Sequence, residues 1–89
     1  VSVYVDDMHL QATVGRLRGR WSHLTADTEA ELRDFGAKIG MRPEWLQHPG
    51  TYQFHFDVMD SKRERAITLG AIPITTWELA EKCMARRLI

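Results

Sequence analysis

The chain has a single cysteine, Cys83, so no internal disulfide can staple it, and the expected setting is a reducing, cytoplasmic one. It lacks any apolar run near the roughly 20 residues that a membrane helix needs, so no membrane partner is expected. The apolar start, Val1 to Val5, is short, runs into Asp6-Asp7 and reads as a strand rather than a signal peptide. Neither sign of charge dominates: 12 Lys and Arg balance 12 Asp and Glu. A generic electrostatic grip on nucleic acid is therefore not supported, although nucleic acid stays open as a partner. No Gly-Lys-Ser/Thr loop, no Gly-x-Gly-x-x-Gly before a helix and no zinc-finger spacing occur. With 89 residues there is room for one domain, 1–89, and not for a multidomain enzyme.

Charge is unevenly spread along the chain. Residues 1–61 hold nine acids and six bases, while 62–89 hold six bases and three acids. Such a dipole can steer a partner or pair two copies head to tail.

The patterning that is present points to an α/β fold. Val1, Val3 and Val5 alternate with Ser2, Tyr4 and Asp6, as in a strand with one apolar face. Residues 8–22 show no clean period and contain Gly15 and Gly19, so they read as an irregular segment with an arginine-bearing loop. A helix is expected over about 28–39, with capping oxygens from Thr25 and Asp27, an apolar stripe of Leu32, Phe35 and Ile39, and Gly40 as its stop. Pro43-Glu44-Trp45-Leu46 suits one short helical turn, and His48-Pro49-Gly50 a chain reversal. Residues 51–58 form the clearest strand, with Tyr52, Phe54, Phe56 and Val58 on one face and Gln53, His55 and Asp57 on the other. Ser61 with Glu64 and Thr75 with Glu78 are capping boxes for two further helices. Between them Ala71–Ile74 is extended, and its Pro73 argues against a central strand. Trp77, Ala80, Met84 and Leu88 form the expected core stripe of the last helix. The fold class is thus α/β: a small three-stranded, mostly parallel or mixed sheet with about three packing helices.

The polar residues suggest where chemistry could lie. If the first strand neighbours 52–58, then Asp6, Asp7, His55 and Asp57 gather at one sheet edge, where ligands of open α/β sheets bind. Carboxylates with a neutral imidazole can hold a divalent metal ion or act as acid and base on a phosphoester. Asp6, Asp7, His55 and Asp57 are the metal candidates, and His55, Asp57 and Asp6 the catalytic ones. Arg16, Arg18 and Arg20, with His23 and Asp27, are candidate ligand-binding residues, because guanidinium donors suit phosphate. The same residues also admit blander roles, as capping carboxylates and a solvated arginine loop.

The order of residues resembles a family of bacteria and their phages, known mainly from actinobacteria and catalogued as domain of unknown function 4031. The likeness rests on Val3-Tyr4-Val5-Asp6-Asp7, Trp21-Ser22-His23-Leu24 with Ala26-Asp27, Glu31-Leu32-x-x-Phe35, Trp45, His55-Phe56-Asp57, Arg63, Ala66 and Gly70-Ala71, from Val3 to about Ile74. The family's usual His-Tyr-Asp is here His55-Phe56-Asp57, which removes a phenol. The resemblance implies a stand-alone cytoplasmic α/β domain of phage or bacterial origin, and no activity. Three functional classes follow as expectations. The leading one is a small binding or interaction domain with a phosphate-ligand cleft at the strand ends. The second is a metal-dependent phosphoesterase or nuclease built on the Asp/His cluster. The third is a phage-encoded adaptor for a host protein. Whether the chain is an enzyme is open, and a homodimer is a candidate assembly because a small sheet leaves open edges.

Overall fold

The computed structural model describes residues 2–87. Five strands and three α-helices follow one another as β1 (Val3–Val5), β2 (Leu10–Val14), β3 (Leu17–Ala26), α1 (Glu29–Lys38), a 3-10 turn (Pro43–Trp45), β4 (Phe56–Met59), α2 (Asp60–Thr68), β5 (Ile72–Pro73) and α3 (Thr76–Arg87).

The sheet corrects the expected three strands to five, and of the expected senses, mostly parallel or mixed, it is mixed. β3 pairs antiparallel with β1, β2 and β4, and only β1 with β5 is parallel among the described strands. The difference arises in residues 8–22. They form a hairpin, in which Val14 faces Leu17 across a two-residue turn. Gly15 sits at φ +62 in the first turn position, the placement a type II′ turn favours because it matches strand twist. The alternation Leu10, Ala12, Val14 is present, but most of β2 is exposed on both sides, so its apolar pattern does not mark a core.

The long β3 also separates the two strands expected to be neighbours. Leu24 pairs with Val5 on one edge and with Phe56 on the other, so β1 and β4 flank β3. β5, with its proline, lies at the edge beyond β1, as its sequence predicts. The strand expected over 51–58 is shorter: β4 starts at Phe56, and His55 is tied instead by an isolated bridge to Gln47.

One sheet face carries the core. Val3, Val5, Leu24, Phe56 and Val58 pack under Leu32, Phe35 and Ile39 of the α1 segment and Ala66 of α2. Thr28, rather than Thr25 or Asp27, caps α1 by accepting from the Glu31 amide at 3.2 Å. Gly40, at φ +79, ends it, with the Met41 amide bonded to the Gly36 carbonyl at 2.8 Å and the Gly40 amide to that of Ala37. α2 starts at Asp60 directly after β4, so the Ser61–Glu64 capping box does not form.

α3 lies on the opposite face. The Thr75–Glu78 capping box forms as expected, with bonds of 3.1 and 2.9 Å, and the Asp7 carboxylate accepts from the Thr76 amide at 3.0 Å. The expected core stripe of this helix is reversed at Trp77, Ala80 and Met84, and its Leu88 lies outside the described residues. Trp77 is 75% exposed, with Met84 and Ala80 also outside, while Leu79 is buried. Arg86 does much of the docking. It donates to the carbonyls of Tyr52 and Ala26 and the Thr25 hydroxyl, and lies over the Phe54 ring at 3.8 Å. Among the described residues no helix is long and apolar enough to cross a membrane.

Candidate metal centre

On the α3 face of the sheet, alternation brings Trp21, His23 and Thr25 of β3 to one side, and His23 pairs in register with Asp57 of β4. His55, two residues earlier, lies on that side as well, its ring centroid 5.2 Å from that of His23. One ligand atom each from His23, His55 and Asp57 lies within 4.8 Å of the other two. A tetrahedral ion with bonds of about 2.0–2.1 Å spaces its ligands about 3.3 Å apart, so modest side-chain closure completes the set.

Both imidazoles are oriented from behind. His23 Nδ1 meets Oδ2 of Asp6 at 2.7 Å, and His55 Nδ1 meets the Gln53 carbonyl at 2.7 Å. An ionised carboxylate and a carbonyl only accept, so both Nδ1 atoms carry the proton and donate. When either ring is neutral, Nε2 is left as an unprotonated ligand atom. His55 Nε2 lies 3.4 Å from the Asp57 carboxylate. With lone pairs on both sides of that gap, a proton or a metal cation is what makes the contact favourable. A carboxylate or carbonyl holding the rear nitrogen is also how ligating histidines are commonly fixed.

Asp6 anchors this arrangement from full burial. Its Oδ1 accepts from the amides of His23, at 2.8 Å, and Met8, at 3.3 Å. Burial pushes its carboxyl up, but the His23 ring and amide, the ring's charge and the Met8 amide outweigh it, and the group lies below the usual range. The hydrogen bond to Asp6 raises the His23 ring above its ordinary value, against desolvation. The His55 ring beside it, when protonated, lowers Asp57, as does the His23 charge, against its own burial and the Asp6 charge.

The candidate residues thus divide. His23, His55 and Asp57 converge, with Asp6 behind His23. Asp7 is not with them, because it caps α3. Asp27 stands at the far end of β3, accepting from the Ser2 amide and the Tyr4 hydroxyl. Arg16 occupies the hairpin turn and Arg18 is exposed on β3, while Arg20 pairs with Asp60, which His9 also contacts. The cluster therefore sits on a sheet face at mid-β3, not at the ends of parallel strands.

A cleft of ≈ 260 Å³ opens beside the cluster, lined by His23 and His55, by Tyr52 and Gln53, and by Leu79, Cys83 and Met84 of α3. None of its lining residues is Arg or Lys, so the arginine loop does not serve it. His48 also lines this cleft, its ring 5.8 Å from that of His55. The sequence offered a signal for His48 only in its neighbours, as a Pro-Gly reversal; its own φ of +52 is a structural finding.

Residues 3–86 match the family model described as Protein of unknown function (DUF4031). The chain belongs to this family. The match reaches past Ile74 into α3, so the helix that walls the cleft belongs to the family pattern. No curated protein and no solved structure matches the chain. Phe56, between His55 and Asp57 in the chain, is buried in the core on the sheet face opposite them.

Proposed function

We propose that this domain binds one divalent transition-metal ion through His23, His55 and Asp57 and uses it for metal-dependent hydrolysis, with phosphoesters as the first substrates to assay. The observation that carries the reading is the convergence of the three side chains with both imidazoles held at Nδ1 by acceptor-only oxygens. Two nitrogens and one oxygen favour zinc or a similar first-row ion over magnesium or calcium. Three protein ligands leave a coordination position open, the pattern of catalytic rather than structural zinc sites. The ion would supply Lewis-acid polarisation and an activated water, which adds to the ester centre as the ester oxygen departs with a proton. Asp6 serves in this reading as a positioning residue: its carboxylate accepts from the His23 ring and from the His23 and Met8 amides.

Calorimetric titration of chelator-stripped protein with Zn²⁺, Mn²⁺ and Mg²⁺ tests the binding. The expected result is uptake of one Zn²⁺ per chain, weaker Mn²⁺ and little Mg²⁺, with uptake lost in His55→Ala and Asp57→Ala variants that still fold. Zinc bound equally well by those variants would overturn the assignment. Hydrolysis of p-nitrophenyl phosphate and p-nitrophenyl acetate by the loaded protein, abolished by chelator, tests the chemistry separately.

A further inference from the structure

The sheet face that carries the cluster has a helix over one end, and at the other the Met59 side chain lies against Gly19. α3 lies over Thr25 and Tyr4, whereas the hairpin end of the same face has no helix on it among the described residues. There Leu10 pairs with Trp21, Ala12 with Gly19 and Val14 with Leu17, which places these side chains on the face of His23 and Asp57. A second groove, of ≈ 130 Å³, runs along them. Met8, Leu10, Ala12, Val14 and Trp21 line it, together with Ser22, His23 and Asp57. The Trp21 ring is held in place by its Nε1–H, which donates to the Ala12 carbonyl at 3.1 Å. Two of the three candidate metal ligands therefore line the same groove as these apolar side chains.

We infer that the metal-directed ligand carries an uncharged apolar substituent of about six carbons, seated in the Met8–Leu10–Val14–Trp21 groove next to its metal-binding oxygen atoms. This rests on the metal reading above and adds the substrate class. The volume suits it: an apolar cavity of about 150 Å³ accepts a benzene-sized molecule. The charge suits it also, since no Lys or Arg lines the groove and a polyanionic strand would find no counter-charge there. Leu10 and Val14 are about half exposed, as expected of groove walls that gain burial only when occupied.

Hydroxamates of increasing chain length, titrated into the Zn²⁺-loaded protein, separate the two readings. Acetohydroxamate reports the metal alone, while hexanohydroxamate and benzohydroxamate also reach the groove. The longer probes are expected to bind at least about tenfold tighter. Leu10→Gln and Val14→Gln should erase that gain while leaving zinc and acetohydroxamate affinity unchanged. Both positions are exposed enough for the domain to fold with the polar side chain. Absence of zinc uptake would sink the metal reading and this inference with it. Zinc and acetohydroxamate binding without a chain-length gain, or with a gain that both variants keep, would overturn the groove alone. Sedimentation supplies a further check: a dimer that Leu10→Gln dissociates would assign the groove to a second copy of the chain and overturn the proposal.

Discussion

At the scale of single residues, Asp6 decides which nitrogen of His23 faces outward. Its carboxylate accepts at Nδ1, so the proton stays on that side and Nε2 is left to bind metal. Asp6→Asn can turn an amide N–H toward Nδ1, which would reverse the tautomer and move the proton to Nε2. Zinc affinity should fall about 10–100-fold, the usual cost of losing an outer partner of a ligating histidine, with folding retained. Calorimetry with Zn²⁺ checks this, and unchanged affinity would remove Asp6 from the centre. The same pair gives the metal-free protein a pH signature. His23 is raised above its ordinary 6.5, so its contribution to stability is complete below that value and is lost as pH rises through the higher folded-state pKa. Asp6 is lowered below 3.8, so its contribution is complete above 3.8 and is lost as pH falls through the lower folded-state pKa. Thermal unfolding in chelator should therefore show a stability advantage over His23→Gln that is greatest between about pH 4 and 6.5 and shrinks on both sides. An advantage that stayed at the same size well below about pH 4 and well above about pH 6.5 would contradict the ion pair.

At the scale of elements, two glycines separate close packing from loose packing. A Cβ at Gly36 of α1 would lie 2.6 Å from Cε2 of Phe56, a ring buried in the core with no room to retreat. Gly36→Ala should destabilise by about 1–3 kcal/mol, although alanine is the better helix former. A Cβ at Gly19 would meet the terminal methyl of Met59 at 2.5 Å, the far end of a flexible side chain. Gly19→Ala should cost little, and a pair of urea denaturation curves distinguishes the two. The elements also explain what was legible in the sequence. α1, the second capping box and the edge position of Pro73 each follow from local chemistry that the tertiary structure leaves intact. The β2–β3 hairpin was hidden because its strands leave one apolar face open, so its alternation did not predict a core. Without that hairpin, the sequence pattern makes β1 and β4 neighbours and leaves the sheet two strands short. His55, Asp57 and Asp6 were still grouped, because period-2 alternation places them on one face whichever strand lies between. His23 is the partner that required β3 to be recognised, since its role depends on pairing with β4.

At the scale of the whole molecule, the two faces of the sheet are held by different physics. α1 and α2 bury an apolar face, while α3 is secured by a capping box, the Lys82 ammonium 4.1 Å from the Tyr4 ring centroid, and above all Arg86. Arg86 connects α3 to Tyr52, Thr25, Ala26 and Phe54, so its removal leaves several acceptors without their charged donor. Arg86→Ala should cost about 2 kcal/mol or more, a drop in Tm on the order of 10 °C for a domain of this size. Amide exchange should accelerate across α3 before it does in β3 or α1, because among the described residues Leu79 is the only buried side chain of the helix and it stands outside the main core cluster. None of His23, His55 and Asp57 lies on α3, so zinc affinity should stay within a few-fold of the parent. The cleft beside the metal loses its Leu79, Cys83 and Met84 wall when α3 undocks, whereas the hairpin groove keeps all of its lining. Hexanohydroxamate should therefore still bind loaded Arg86→Ala more tightly than acetohydroxamate does. If the chain-length gain vanished with α3, the apolar substituent would belong in the α3 cleft and not under the hairpin.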